Sequence, residues 1–182
     1  MTTRTIALAR LTAMKRPILT YGLFSGALAV AALGATVPLI HSDTVQYADI
    51  LGYASIVLAA LLVFFGIRSY REHDGGGHMT FGRGFLVGLF ITLISCACHV
   101  VAFQLIYFHL VPDFGERFTA CMIQRVRDAG GSQTEVEETT RQAALFRRLF
   151  DSPATNAALT FAETFPVGLM ATLVSAAILR KR

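Results

Sequence analysis

Four long stretches of this chain contain almost no charged residue. They are residues 17–40, 51–67, 84–110 and 157–179. The first two have no charge, the third has only two histidines, and the fourth has the single acid Glu163. A helix of about 20 residues crosses a bilayer core that is ~30 Å thick. Since 54% of the 182 residues are hydrophobic, we predict an all-α, polytopic membrane protein with four transmembrane helices. The predicted spans are residues 17–40, 48–67, 84–110 and 154–179, within one membrane domain over residues 1–182.

Other features are missing as well, and each absence excludes a class of protein. The alternation of apolar and polar residues that membrane strands require is absent. The three cysteines do not indicate a disulfide framework, because Cys96 and Cys98 lie inside an apolar stretch and Cys121 is alone in a polar one. The net charge of +4 comes from basic residues at the borders of the apolar stretches. We therefore expect no nucleic-acid partner, which a basic–aromatic patch would indicate.

No group of residues indicates catalysis or a bound cofactor. A metal site needs three or more ligands. His99 shares a helix face only with Cys96, three residues earlier. We predict no catalytic residue, no metal and no cofactor. A non-enzymatic protein is favoured over a membrane enzyme that acts on lipid.

The distribution of Lys and Arg predicts the orientation. The loop 41–47 has none. Ten lie on the side of the two termini and of the loop 68–83, against six in the segment between the third and fourth spans. Because Lys and Arg are enriched in cytoplasmic loops, both termini are predicted to be cytoplasmic. The length of the first apolar stretch favours a retained anchor over a cleaved signal peptide.

The polar segment 114–151 is predicted to form an extracytoplasmic amphipathic helical hairpin. Gly130 is expected to end its first helix, and Ser132 with Glu135 forms a capping-box pattern that begins the second. The hairpin is expected to rest either on the membrane surface or on the outer ends of the spans. Apolar residues of its first helix recur every four positions, at Phe114, Phe118, Met122 and Val126.

Two glycine pairs predict a helix contact. Gly22 and Gly26 in the first span, and Gly84 and Gly88 in the third, are each four residues apart. Small residues at this spacing let helix backbones approach closely. Both pairs lie toward the predicted cytoplasmic side, so we expect the first and third spans to touch there.

Glu163 is the most informative candidate site residue. A carboxylate within the hydrocarbon is costly, so it is expected to face the other helices and to be paired or protonated. Gln104, Tyr107 and Tyr53 lie at similar predicted depth and are its candidate partners. Pro166 follows three residues later and frees one helical carbonyl. A structural hydrogen bond that locks the fourth span, and an ion or proton site, are both consistent with this arrangement.

His99 is the other candidate, near the middle of the third span. We interpret it as a side chain that forms a hydrogen bond with a neighbouring helix. Gln104 and Tyr107 fall on a different face of the same helix. No continuous relay is therefore predicted.

Several motifs resemble a known bacterial family. They are residues 65–71 (FGIRSYR), 81–85 (FGRGF) with Gly88, 112–114 (PDF) and 160–169 (TFAETFPVGL). In combination, and over nearly the whole chain, they resemble the bacterial membrane-protein family known as domain of unknown function 4199. The resemblance implies a four-span protein of the inner membrane, and it implies no activity.

Two functions of different kinds follow from these features. The first is a non-enzymatic membrane component that binds a partner protein or lipid, in line with the predicted hairpin and the small-residue strips. The second is a small oligomeric transporter or proton-coupled channel that works through Glu163. Membrane lipid is the expected partner in both, with a protein partner or a second copy of the chain beside it.

Overall fold

The computed structural model is built from helices throughout the part of the chain that it describes. Backbone is described at residues 3–40, 45–74 and 76–181, and side chains at residues 15–35, 54, 57–73 and 76–181. The long helices are α1 (Thr3–Ile40), α2 (Val45–Ser69), α3 (Phe81–Leu105), α4 (Phe114–Asp128), α5 (Gln133–Phe150) and α6 (Pro153–Leu179). Single π-helical turns, Tyr70–Asp74 and Ile106–Leu110, follow α2 and α3. The predicted all-α class is confirmed.

Three segments are long and apolar enough to cross a membrane. They are Lys15–Ala35, Phe81–Leu110 and Pro153–Leu179, with mean hydropathies of 1.8, 2.3 and 1.6. Each has at least the ~20 residues that a bilayer core requires. The protein is therefore a membrane protein. Only part of α2 has described side chains, so the predicted span at residues 48–67 stays a prediction.

Small residues bring α1 against α3. A side chain at Gly26 would place its Cβ 2.7 Å from Cys98 Sγ, and one at Gly22 would meet Ile94 at 3.0 Å. The predicted contact between the first and third spans is thus present. The glycine pair of α3 does not form it, however. Gly88 instead faces Ile67 of α2 and Thr172 of α6, because α3 is central and its opposite face packs on α6.

The predicted cytoplasmic loop 68–83 is held by specific contacts at one end of the bundle. Met79 is 2% exposed, and it exchanges two backbone hydrogen bonds with Lys181, at 2.9 and 3.0 Å. Gly76 and Gly77 turn the chain with φ of 61° and 80°, which glycine adopts without steric cost. Arg68 donates to Glu72 at 2.8 Å, and this hydrogen bond holds the pKa of the Glu72 carboxyl below its usual range.

The segment between α3 and α6 consists of the two helices α4 and α5. Gly130, with φ of 74°, follows the end of α4. Ser132 and Glu135 form the predicted capping box of α5, in which the Ser132 N–H donates to the Glu135 carboxylate at 2.7 Å. Ser132 is thus the N-cap that the sequence predicts.

Aromatic side chains attach this pair of helices to the end of α3. Phe118 of α4 lies 5.1 Å from Phe146 of α5 between ring centroids. Phe103 of α3 lies 5.7 Å from Phe114 and 6.1 Å from Phe150. We call the buried group around these rings the aromatic cluster. Phe114, the first residue of the predicted apolar stripe, thus contacts the end of α3. The members of the aromatic cluster are Ile106, Tyr107, Val111 and Phe114, with Leu33, Phe103, Phe108, Phe146 and Phe150 packed against them.

Candidate functional site

A cavity of about 490 Å³ lies among the spans. Its walls come from α1, α2, α3 and α6, and Phe150 at the end of α5 joins them. Much of the surface is formed by small apolar residues, among them Ala29, Ala60 and Ala171. Ligand sites in proteins combine such apolar walls with a few polar groups.

Glu163 lines this cavity. It lies ten residues after Pro153, so about 15 Å along α6 at 1.5 Å per residue. Its side chain is exposed rather than enclosed by neighbours. Pro166 lies one turn further on, and α6 continues through it to Leu179.

The expected partners of Glu163 bind elsewhere. Gln104 Nε2 donates to the Pro153 carbonyl at 2.7 Å, and the Tyr107 hydroxyl donates to Asp151 at 2.6 Å. Neither residue is hydrogen-bonded to Glu163 in this structure. Both lie nearer the C-terminal end of α3, and they join it to the chain at the start of α6. Tyr53 belongs to α2, and its side chain lies outside the described residues.

His99 is the polar group of α3 that shares the cavity with Glu163. It lies eleven residues before Leu110, about 16 Å along the helix. Because α3 and α6 are antiparallel, that depth matches the 15 Å of Glu163. Comparing depth from the two facing ends would have indicated this pair. The predicted hydrogen bond from His99 to a neighbouring helix is not seen among the described residues.

Sequence reasoning missed a row of hydroxyls on α6. Thr160, Thr164 and Thr172 lie four or eight residues apart, hence on one face of the helix. Thr92 of α3 meets this row, 3.0 Å from the Thr172 hydroxyl, and donates to the Gly168 carbonyl at 3.3 Å. The spacing of small polar residues by four within an apolar stretch was the available signal.

A second hydroxyl contact joins α1 to α3. The hydroxyls of Ser25 and Ser95 lie 3.0 Å apart, and Ser25 is only 1% exposed. Both residues line the cavity. Hydroxyl groups that pair across helices are satisfied within the apolar interior, where an unpaired one is costly. These groups hold the walls together.

Two buried polar atoms remain without a partner in the described part of the chain. They are Thr160 Oγ1 and Asn156 Oδ1. Thr160 lines the cavity and is 4% exposed. Asn156 lies one turn earlier, and its Nδ2 donates to the Phe150 carbonyl at 3.0 Å. Buried polar groups nearly always have a partner, so the Thr160 hydroxyl is an exception on the cavity wall.

The described residues contain no cluster of three or more His, Cys, Asp or Glu that would hold a metal ion. Glu163 is the only carboxylate in the three apolar segments Lys15–Ala35, Phe81–Leu110 and Pro153–Leu179. The chemistry that the cavity offers is therefore hydrogen bonding and one acidic group in apolar surroundings.

Comparison with known proteins supplies the family. The family model described as "Protein of unknown function (DUF4199)" matches residues 20–181. The chain belongs to this family. No curated protein and no solved structure matches the chain. The family membership confirms the resemblance that the sequence motifs indicate.

Proposed function

We propose that this member of the family is a non-enzymatic component of the bacterial inner membrane that binds a lipid-like molecule between its helices. The observation that carries the proposal is the cavity of about 490 Å³. Sites for small molecules measure about 300–1,000 Å³ and are largely apolar. The acid and hydroxyls on one wall supply the few polar groups that orient a ligand.

In the proposed topology, α2 crosses the membrane together with the three apolar segments, which makes four spans. Both termini lie in the cytoplasm. α2 has 25 residues, about 37 Å of helix, and its stretch 51–67 carries no charge. An even number of spans places the pair α4–α5 outside, with the aromatic cluster at the outer end of the bundle.

The topology is tested by thiol labelling in intact bacterial cells. Cys121 of α4 is partly exposed, so a membrane-impermeant maleimide should label it from outside. A Ser69→Cys variant, made in a Cys121→Ser background, places its thiol at the inner loop and should react only after lysis. Labelling of the second thiol in intact cells, with Cys121 protected, would show the opposite orientation.

Ligand binding is tested with an introduced fluorophore, because the chain has no tryptophan. A Phe103→Trp variant places one emitter in the cavity wall. A brominated alkyl probe that enters the cavity should quench it saturably. Phe90→Trp on the same helix is the control, because Phe90 is 48% exposed and does not line the cavity. Its quenching should only follow the partition of the probe into detergent micelles.

A second pair of variants tests whether the cavity itself is the site. In the Phe103→Trp protein, Ala171→Phe should fill the cavity and abolish saturable quenching. Ala177→Phe, on the exposed face of the same helix, should leave the quenching saturable. Equal quenching in both variants would place the probe outside the cavity and remove the proposal.

A proton-coupled transporter or channel is the second candidate. The Thr92–Thr172 and Ser25–Ser95 hydroxyl pairs favour it, because they extend polar groups away from Glu163 along the spans. Membrane acids that face a cavity often belong to proton or ion pathways. For this function, Glu163→Gln should abolish proton-linked flux in liposomes. Flux that is the same in the wild type and the variant would exclude it.

A further inference from the structure

The α6 wall of the cavity has a polar atom that needs a partner. The Thr160 hydroxyl is buried, lines the cavity, and makes no hydrogen bond with the described residues. Glu163 follows three residues later on the same wall. Leaving a buried polar group unpaired costs about 1–3 kcal/mol. The wall is therefore completed by a molecule whose polar end lies at these two residues.

Hydrogen-bond acceptors dominate at this position. An ionised carboxylate only accepts, whereas a threonine hydroxyl accepts and also donates once. The His99 ring across the cavity has one accepting nitrogen when it is neutral. A ligand group that donates several hydrogen bonds fits this set, and one that only accepts leaves it unsatisfied.

Charge favours the same kind of group. No Lys or Arg is among the described residues that line the cavity. His99 is the only other ionisable wall residue besides the thiol of Cys96, and no hydrogen bond joins His99 to Glu163 in the described part of the chain. An acid in apolar surroundings is stabilised by a cation that it contacts directly.

We propose that the ligand is an amphipath with a primary amine as its polar end. The amine donates to the Glu163 carboxylate and, after rotation of the buried Thr160 side chain toward the cavity, to its hydroxyl. The alkyl chain lies against Ala29 of α1 and against Ala59 and Ala60 of α2. This inference rests on the proposed function, since it names the ligand class of the same cavity.

The test uses displacement of the brominated probe from the full-length Phe103→Trp protein. Four competitors share a twelve-carbon chain and differ in the polar end: dodecylamine, dodecyltrimethylammonium, dodecanol and dodecanoate. Dodecylamine has a positive charge and hydrogen-bond donors, and dodecyltrimethylammonium has the charge alone. Dodecanol has one donor without charge, and dodecanoate is an anion. We expect dodecylamine to displace the probe at a concentration at least tenfold lower than each of the others.

Variants of the wall assign the preference to its residues. Glu163→Gln should reduce the advantage of the amine over the alcohol at least fivefold, and Glu163→Asp should retain part of it. Thr160→Val should weaken amine binding more than trimethylammonium binding, because only the amine donates. Thr155→Val is the matched control on α6, since Thr155 lies outside the cavity wall, and it should change neither preference.

The outcomes separate this inference from the proposed function. Saturable probe binding with equal displacement by amine and carboxylate, or by amine and trimethylammonium, overturns the amine and leaves lipid binding in place. Absence of saturable quenching in the Phe103→Trp protein overturns both. The comparison of competitors needs no change at Glu163 or Thr160, so it stands even where a Glu163 variant fails to fold.

Discussion

Gly26 lies where α1 and α3 approach too closely for a side chain on one of them. A Cβ at this position would come within 2.8 Å of Cys98 Cβ. That atom is attached directly to the α3 backbone, so the helix itself must move to make room. Gly34 is eight residues further along α1, and a Cβ there meets nothing within 4 Å. The two glycines therefore form a matched pair.

We predict that Gly26→Ala destabilises the protein by about 1–3 kcal/mol, the usual cost of overpacking. Gly34→Ala should be neutral or stabilise by up to about 1 kcal/mol, because alanine is the better helix former. Thermal unfolding in detergent measures both. Equal melting temperatures for the two variants would contradict the close approach at Gly26.

The unusual residue Glu163 could be identified from the sequence, but its neighbours in the structure could not. The single acid of the apolar stretches is evident from composition, and Glu163 does line a cavity. Its neighbours depend on where each helix ends, which shifts depth by a turn. The π-helical turn Ile106–Leu110 and the start of α6 at Pro153 give Gln104 and Tyr107 other partners. The π-helical turn has no sequence signal that fixes depth to one turn, whereas Ser152 and Pro153 do mark the start of α6.

Among the elements, α5 shows how a local sequence pattern determines a helix start. The Ser132 hydroxyl accepts from the Glu135 N–H, and the Glu135 carboxylate accepts from Ser132 in return. These bonds satisfy donors that every helix N-terminus leaves unpaired. Because all the groups lie within four residues, the capping box was predictable. The contact of this helix pair with α3 was not, since it depends in part on Phe103 and Phe150, which lie 47 positions apart in the chain.

The capping box should make the start of α5 dependent on pH. The hydrogen bond from the Ser132 backbone lowers the pKa of the Glu135 carboxyl. A lowered pKa in the folded state stabilises it above the unfolded pKa of about 4.3, and this stabilisation is lost as pH falls through the folded value. Amide hydrogen exchange in the first turn of α5 should therefore be less protected at pH 3 than at neutral pH, after the intrinsic pH dependence of the exchange rate is taken into account.

Ser132→Ala is the companion variant. It should loosen the first turn of α5 at neutral pH, with a loss of about 1 kcal/mol. The same variant should also weaken the pH effect, since the serine hydroxyl no longer holds the carboxylate. Exchange in the first turn of α4 serves as the internal control. A pH response that is unchanged in the variant would contradict the role of the pair.

The end of the helix bundle that holds Met79 is closed by residues that are far apart in the chain. Met79 and Lys181 form two backbone hydrogen bonds, and Met79 belongs to the buried cluster that includes Ile67, Tyr70 and Leu179. The sequence predicts a turn at the glycines of this loop. It contains no local signal for the bridge, because backbone groups of any residue pair equally well.

Lys181→Pro should release this closure. Proline has no N–H, so the bond from Lys181 to the Met79 carbonyl is lost, whereas Lys181→Ala retains it. We expect faster amide exchange at Met79 in the proline variant only, together with a loss of about 1 kcal/mol in stability. The same exchange rate in both variants would show that the side chain, not the bridge, orders the loop.

Phe150 belongs to two features of the molecule at once. It is part of the aromatic cluster that attaches α5 to α3, and it is also one of the residues around the cavity. Part of the cavity wall thus belongs to a polar helix, which is under weaker compositional constraint than the apolar segments. Homologues that differ only in α4 and α5 can therefore differ in the length of this cavity. If the cavity binds a ligand as proposed, such homologues are expected to select molecules of different length.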